Sequence, residues 1–426
     1  MLQVLKGLGQ YFKGDAVIWR IIFGLSIMSV LAVYSSTGTL AYKYQGGNTL
    51  HYVFKHLTLL IVGIAITFFV SNINYKLYLK SAKLFLYFTI PLLLFTLLMG
   101  VNLNSASRWV TIPGIGLTFQ ASDFGKLALI MYISQVLARN QENIHEYKKA
   151  FIPVLAAAAV VCGLIFPANF STSAMLFAIV VVLMFIGRIP LRQLGILFGM
   201  GLVFVGLLGT LIFKAPELFP RGRTWKARVE NFSSSKDDGN YQAEQAKIAV
   251  ATGGVFGKMP GKSTQRNFLP HPYSDFIYAI IVEEYGMIGG FVIMMAYLFM
   301  LYRAIMIARR CDSMFPALLT IGLTFSLVFQ ALINMAVAVN LFPVTGQTLP
   351  LLSMGGSSIL FTSFALGIII SVSRTFEDPA QMVAEGATPK TKTRKADPSQ
   401  PDVSVDEDGS VIYTEEIEPT EQPAPF

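Results

Sequence analysis

The chain alternates between long apolar runs and short polar segments, and this alternation predicts a helical membrane protein. A helix needs about 20 largely apolar residues to cross the hydrocarbon core of a bilayer, and such runs recur from residue 16 to residue 374. The sequence therefore predicts an all-α polytopic fold with ten transmembrane helices. The ten runs are residues 16–36, 52–71, 82–101, 117–138, 150–166, 172–187, 191–213, 276–302, 315–341 and 357–374.

Composition supports this fold class and separates a tail from the rest of the chain. Hydrophobic residues make up 54% of the chain and charged residues 14%, whereas soluble domains have about 25% charged residues, so a soluble globular protein is excluded. Residues 377–426 contain 4 Lys/Arg and 12 Asp/Glu, so they carry a net −8 while the preceding residues carry +16. The acidic, Pro-rich segment 376–426 is predicted to be a disordered cytoplasmic tail. The overall basic balance therefore does not indicate nucleic-acid binding.

Lys and Arg in the short connections predict the orientation, because they are retained on the cytoplasmic side of the membrane. Cations precede the first run and follow the second, fourth, sixth, eighth and tenth runs, whereas the alternate short connections contain only Lys43 and Arg108. Both termini, including residues 1–15, are therefore predicted to be cytoplasmic. A large extracytoplasmic loop, residues 214–275, then joins the seventh and eighth helices.

This outer loop is unusual because it contains ten Lys/Arg. Loops of about 60 residues escape the orientation rule, so the topology stands, and the charge favours an anionic ligand. The alternative is a long loop that is merely solvated by its cations. Its second half interleaves glycines with basic and polar residues, a composition that can surround an oxyanion. The candidate ligand-binding residues there are Lys258, Lys262, Ser263, Gln265 and Arg266.

Asp275 is a candidate catalytic residue because only 13 acidic residues precede the tail and most of them lie in loops. It follows Pro270 and Pro272 where the eighth helix is predicted to begin. A carboxylate at this position can serve as a general base. The alternative is helix capping, which is worth about 1 kcal/mol. The neighbouring His271 either tunes this carboxylate or is an incidental exposed histidine.

Two further charged clusters are predicted at membrane depth, where charge is costly and usually functional. Asp123 and Lys126 are three residues apart, so they share a helical face and can pair. The alternative to a functional role is an ion pair that only stabilises helix packing. Glu283 and Glu284 lie about two turns beyond Asp275 and are predicted to be supporting polar residues.

Three motifs together resemble the SEDS family of cell-division, elongation and sporulation proteins. They are SASRWVTIPGIGLTFQASDFGK, GGVFGKMPGKSTQRNFLPHPYSDFIYAIIVEEYG and TGQTLPLLSMGGSS. The resemblance assigns residues 16–375 to a SEDS transmembrane domain. It implies a multi-pass peptidoglycan glycosyltransferase of the bacterial cytoplasmic (inner) membrane, which polymerises lipid II into glycan strands at the outer face and releases undecaprenyl pyrophosphate. The third motif and the charged tail favour the division branch, acting at the septum, over the elongation branch.

The resemblance also implies individual roles. Asp275 matches the family's essential aspartate in the pattern S/T-D-F-I-F-A, which makes it the expected base for the acceptor hydroxyl in an inverting transfer. Asp123 and Lys126 match the glutamate and lysine of Q-P-S-E-x-x-K, although the shorter aspartate is expected to pair less well. Asn169 replaces the aspartate of Q-P-D-x-G-T, which puts a role for charge at this position in doubt.

The lipid-linked donor further implies cations for the leaving pyrophosphate and a protein partner. Arg108, Lys126 and the loop residues named above are the candidates for binding the pyrophosphate. The sequence indicates no definite cofactor; a divalent cation, Mg or Mn, can assist by shielding the pyrophosphate, although no cluster of carboxylates and histidines demands one. The expected partners are a class B penicillin-binding protein and other divisome proteins.

Two other functions fit the same ten helices. A lipid II flippase would place its determinants on intramembrane polar residues such as Lys126, Asp123 and Asn334, whereas the motifs cluster on the outer face. A non-enzymatic divisome scaffold would use the acidic tail as a docking peptide, whereas a solubilising tail needs no partner.

Overall fold

The structure, a computed structural model, consists mainly of helices with two small antiparallel sheets. It describes residues 12–99, 101–103, 106–111, 118–219, 221–233, 241–375, 403–405 and 411–413. The helices are α1 Ala16–Ser36, α2 Gly38–Gln45, α3 Thr49–Ser71, α4 Tyr75–Met99, α5 Ala121–Arg139, α6 Ile152–Ile165, α7 Phe170–Ile186, α8 Leu191–Lys214, α9 Gly222–Ser233, α10 Tyr241–Gly253, α11 Ile277–Arg309, α12 Met314–Ala338 and α13 Gly356–Arg374. The strands are β1 Val101–Leu103, β2 Ala106–Thr111, β3 Thr118–Gln120, β4 Val403–Val405 and β5 Val411–Tyr413.

The protein is an all-helical polytopic membrane protein, and each predicted apolar run coincides with a helix. Eight helices in the described part of the chain are long and apolar enough to cross a bilayer. The other two are α5, which carries Asp123 and Lys126, and α7, which has 17 residues. The count of ten crossings and the cytoplasmic termini therefore remain predictions.

Helix α5 lies at the centre of the bundle, where it packs against α4 and α12. Leu129, Ile130 and Ile133 are fully buried on it, and its charged first turns are also enclosed by neighbouring helices. A helix surrounded by protein can carry polar side chains that lipid would not tolerate. By contrast, α8 packs mainly on the adjacent α7, on α9 and on the 3-10 turn Pro216–Leu218, and most of its side chains are exposed.

The predicted outer loops contain regular structure that the hydrophobic pattern did not reveal. Strands β1, β2 and β3 form an antiparallel sheet in which Trp109 pairs with Gln120. Within the segment 214–275, α9 and α10 are helical, and α10 packs against α11. These short elements are too polar for the apolar-run criterion, so the hydrophobic pattern predicted the connections without their internal helices and strands.

Helix α11 is interrupted at Gly286, which has φ 71° and ψ −176°. The backbone there pairs with the segment that follows α10: Lys258 N–H donates to the Glu283 carbonyl at 2.9 Å, and Met287 N–H donates to the Gly254 carbonyl at 2.9 Å. A Cβ on Gly286 would overlap the carbonyl of Val255. Glycine is therefore required both by the backbone angles, which only glycine commonly adopts, and by the close contact.

The C-terminal residues form a separate unit. Its two described strands, β4 and β5, pair antiparallel. The other residues of the segment 376–426 lie outside the described residues, so the disordered tail stays a prediction.

We expect Gly286→Ala to destabilise the protein by more than about 1–3 kcal/mol, because the overlap with Val255 adds to the cost of the backbone conformation. Thermal unfolding of the detergent-purified variant measures this loss. Gly199→Ala on α8 is the matched control, since a Cβ there has no neighbour within 4 Å. Equal stability of the two variants would contradict the proposed constraint.

Candidate active site

Asp275 lies in the turn that leads into α11, one residue before Phe276 at the N-cap position. Its side chain is half-buried, and Oδ1 accepts a hydrogen bond from the Ser274 hydroxyl at 3.0 Å. The other carboxylate oxygen faces Gly346, where a Cβ would lie 3.7 Å away. Gly346 thus forms one wall beside the carboxylate.

The backbone around Asp275 is held by α12 and by the loop that joins α12 to α13. The Asn334 side-chain amide donates to the carbonyl of Asp275 at 2.9 Å and to that of Gln347 at 2.7 Å. The Ser353 hydroxyl donates to the Ser274 carbonyl at 2.6 Å. These bonds fix the base of the Asp275 side chain to two other elements of the bundle.

Asp123 and Lys126 form the predicted ion pair, with Nζ 2.9 Å from Oδ1 and both side chains largely buried. Lys126 also donates to Gln330 Oε1 at 2.9 Å, and Gln330 donates to the Thr348 carbonyl at 2.8 Å. The pair lines a cavity of about 20 Å³ with Ser358, which has room for about one water molecule. The arrangement connects α5, α12 and the α12–α13 loop, in keeping with the structural alternative for this pair.

Glu283 binds the glycine-rich segment of the outer loop from inside the bundle. Its fully buried carboxylate accepts from Lys258 Nζ at 2.7 Å, from the Thr264 hydroxyl at 2.8 Å and from the Thr264 N–H at 3.1 Å. It also accepts from the Ser263 hydroxyl and from the Gln265 N–H at 3.2 Å. A buried carboxylate needs a counter-charge and hydrogen-bond donors. Lys258, Ser263 and Gln265 provide them to Glu283 directly.

Glu284 extends this contact toward α1. It accepts from the Ser35 hydroxyl and from the Ser263 N–H at 3.3 Å. The Arg266 guanidinium donates to the Ser35 carbonyl at 3.2 Å. Four of the five loop residues predicted to bind pyrophosphate therefore make hydrogen bonds to other groups of the protein. They are Lys258, Ser263, Gln265 and Arg266.

The three remaining sequence candidates occupy different positions. Lys262 is exposed. His271 is also exposed, and its Nδ1 lies 3.1 Å from the Tyr273 hydroxyl. Arg108 lies in β2, and its side chain is outside the described part of the structure.

An electrostatic interaction links Arg228 of α9 with Asp275 and with Arg221, another cation of the outer loop, which lies just before α9. Burial lowers the pKa of the Arg228 guanidinium, the like charge of Arg221 lowers it further, and Asp275 opposes both effects. Burial also raises the pKa of the Tyr273 hydroxyl, to which Tyr52 and then Asp275 contribute. Sequence reasoning counted both arginines without singling them out; their spacing of four and three residues around Trp225 was the available signal.

The described residues contain no group of three or more His, Cys, Asp or Glu that could hold a metal ion. The described residues therefore provide no ready set of ligands for a resident divalent cation.

Comparison with known proteins places the chain in a family. The sequence model of the FtsW, RodA and SpoVE proteins, described as cell cycle protein, matches residues 15–378. The chain belongs to this family. Its SEDS members include the probable peptidoglycan glycosyltransferase FtsW of Trichlorobacter lovleyi, 30% identical over 383 residues, 88% of this chain and 96% of that protein. Stage V sporulation protein E of Bacillus subtilis is 30% identical over 367 residues, 82% of this chain and 94% of that protein.

Solved structures show that the chain has the fold of its SEDS relatives. RodA of Thermus thermophilus superposes with a TM-score of 0.62 at 21% identity, covering 85% of this chain and 98% of that chain. A chain of a peptidoglycan synthase complex, described as coordinating polymerization and crosslinking, superposes with a TM-score of 0.65 at 22% identity, covering 86% and 99%.

Two departures from the SEDS motifs can be located in the fold. Asp123, the shorter carboxylate, nevertheless reaches Lys126 at 2.9 Å. Asn169 is the N-cap of α7, where Oδ1 accepts from the Thr172 N–H at 3.3 Å.

We expect Glu283→Gln to loosen the outer loop, because it removes the charge that compensates Lys258 and weakens the bonds to residues 263–265. The free energy that holds the loop to the bundle should fall by about 3 kcal/mol, the lower end of the range for breaking a buried ion pair. Hydrogen exchange at the amides of Thr264 and Gln265 should accelerate. Glu146→Gln is the control, because its pair with Lys149 is exposed and is worth less than about 1 kcal/mol. Unchanged exchange at both amides would contradict this role of Glu283.

Proposed function

We propose that the protein is a peptidoglycan glycosyltransferase that polymerises lipid II into glycan strands at the outer face of the cytoplasmic membrane. The observation that carries the proposal is a half-buried carboxylate, Asp275, whose backbone is held at the entrance of α11 by the Asn334 side chain. The names of the similar proteins support the reaction class.

The proposed topology has ten crossings with both termini in the cytoplasm. Counting α5 and α7 as crossings keeps the cations after α5, α7 and α11 on one side, as the positive-inside rule requires. Enclosure by other helices lets α5 cross despite its ion pair. Asp275 and the outer loop then face the extracytoplasmic side, where lipid II is polymerised.

The proposed reaction is a single displacement with Asp275 as general base. Its carboxylate takes the proton of the acceptor sugar hydroxyl as that oxygen attacks the anomeric carbon of the donor. The new glycosidic C–O bond forms while the bond to the diphosphate oxygen breaks, so the glycosyl centre inverts. Undecaprenyl pyrophosphate leaves with the bonding electron pair, and Asp275 releases the proton to solvent.

The reaction requires an ionised base and stabilisation of the leaving diphosphate, and the charges of the site favour both. A base must be ionised at working pH, and a neighbouring guanidinium favours the ionised carboxylate. The leaving diphosphate gains negative charge in the transition state, and fixed cations stabilise it there. Held by Asn334 and Ser353, the segment around Asp275 needs little rearrangement before reaction.

We expect Asp275→Asn to abolish polymer formation from purified lipid II, by at least about a hundredfold, while the protein stays folded and inserted. The amide keeps the size of the side chain and cannot accept the proton. Gel analysis of glycan strands measures the loss, with thermal unfolding as the folding check. Asp312→Asn, the same change at an exposed carboxylate between α11 and α12, should keep activity. Polymer made by folded Asp275→Asn at the rate of the unmodified protein would overturn the assignment.

We further propose that the protein acts in division, with a class B penicillin-binding protein that crosslinks the product. The FtsW names among its relatives support the division role, and the similarity to a chain of a synthase complex supports a partner of this class.

Depletion in the native bacterium should therefore produce elongated cells without septa, scored by microscopy. Expression of Asp312→Asn should restore division, whereas Asp275→Asn should not. Rounded cells with normal septa would assign the protein to elongation instead.

A further inference from the structure

His56 is a fully buried histidine in α3 that the proposed reaction does not use. It forms no ion pair among the described residues, and its Nδ1 has no hydrogen-bond partner among them. An ionisable side chain at membrane depth is costly and usually functional. What His56 contributes beyond packing must therefore pass through its other ring nitrogen, Nε2.

The His56 ring is connected to Leu352 through the hydroxyl of Ser29, a fully buried residue of α1. Ser29 Oγ lies 2.6 Å from His56 Nε2 and donates to the Leu352 carbonyl at 2.8 Å. A hydroxyl has a single hydrogen and a carbonyl oxygen cannot donate, so Ser29 must accept from His56. The ring is therefore the tautomer with its hydrogen on Nε2.

Leu352 belongs to a tight turn, residues 349–354, in the α12–α13 loop. The Ser353 N–H donates to the Leu349 carbonyl at 2.9 Å, and the Leu349 N–H donates to the Ser353 hydroxyl at 2.7 Å. Leu351, inside this turn, has φ 63°, a left-handed conformation that bulky side chains rarely adopt. Such a conformation persists only where the surroundings enforce it.

Two buried hydroxyls hold the carbonyls on either side of Leu351. Tyr297 of α11 donates to the Pro350 carbonyl, and Ser29 donates to the Leu352 carbonyl. A serine within a helix can instead donate to the carbonyl four residues before it. The hydrogen bond from His56 favours the orientation of the Ser29 hydroxyl that faces Leu352.

The same turn holds the backbone that precedes Asp275. The Ser353 hydroxyl donates to the Ser274 carbonyl at 2.6 Å, and the Met354 N–H donates to the Tyr273 carbonyl at 2.9 Å. Three consecutive residues, 352–354, thus connect Ser29 and His56 on one side with residues 273–274 on the other. Asp275 is the next residue along the chain.

We propose that His56 is a positioning residue for glycosyl transfer, an inference that rests on the proposed function. By orienting Ser29 it keeps the 349–354 turn in its strained form, and the turn fixes the two residues before Asp275. His56 is too deeply enclosed to contact a substrate. Its loss should therefore slow the chemical step, where a displacement of about 1 Å can cost about a hundredfold in rate, and leave substrate binding intact.

Substitutions that separate the hydrogen bond from the volume of the ring test this role. His56→Leu keeps an apolar side chain of similar size and removes the donor. In the full-length protein, kcat for polymerisation of lipid II should fall about tenfold or more, with KM within about twofold. His56→Gln places an amide N–H at the position of Nε2 and should recover most of kcat. His51→Leu, at an exposed histidine of the same helix, is the control and should keep both constants.

The path through Ser29 has its own test. Ser29→Ala removes the same bond to Leu352, so kcat should fall as in His56→Leu, and this variant decides the matter if His56→Leu fails to fold. Because His56 acts through Ser29, the double variant should be no slower than Ser29→Ala alone. Losses that multiply in the double variant would overturn the path, as would an unchanged kcat in either folded single variant. A glutamine variant no faster than the leucine variant would reduce His56 to a packing role.

Hydrogen exchange reports on the turn without requiring turnover. The amides of Ser353 and Met354 should exchange faster in His56→Leu and in Ser29→Ala, and at the rate of the unmodified protein in His56→Gln and His51→Leu. Unchanged exchange in the folded leucine and alanine variants would overturn the positioning role. Faster exchange in a protein that makes no polymer would keep the link between His56 and the turn and reject the polymerase assignment, so the two proposals fail separately.

Discussion

Hydrocarbon supplies no hydrogen-bond partners, so the break of α11 at Gly286 can exist only if other parts of the protein satisfy the freed backbone groups. The segment 254–259 does so by pairing with residues 283–288. The outer loop is thereby drawn into the bundle instead of lying over it. Glu283, one turn before the break, then binds the next part of the loop through its carboxylate. The course of the chain up to Asp275 follows from this arrangement.

The site is assembled from two parts that are attached to the bundle independently. Asp275 is bound to α12 and the α12–α13 loop through Asn334 and Ser353. Arg228 belongs to α9 and Arg221 directly precedes it; α9 is anchored on the α6–α7 turn by Trp225. The position of the carboxylate and the positions of the cations are therefore set by different contacts.

The sequence predicted most of the helices and the Asp123–Lys126 pair, because an apolar period and a three-residue spacing are local properties of the chain. It could not predict that Lys258 would be bound by Glu283, because the two residues are 25 positions apart and meet only where the segment 254–259 pairs with residues 283–288. A basic, glycine-rich segment has the same composition whether it binds an oxyanion or a buried glutamate. The arginines of α9 were overlooked for a related reason. The packing of α9 depends on contacts of Trp225 with Phe166, Phe170 and Phe219, which lie outside this helix, and no local sequence pattern predicts them.

The aromatic cluster around Trp225 also has an optical consequence. The chain contains three tryptophans, of which Trp19 lies in α1 and Trp109 in β2. With phenylalanine at those two positions, the emission of the remaining indole would come from α9 alone. Its wavelength depends on whether the ring is enclosed by Phe166, Phe170 and Phe219 or exposed to water. The protein thus carries a native fluorophore at the contact that holds its cationic helix in place.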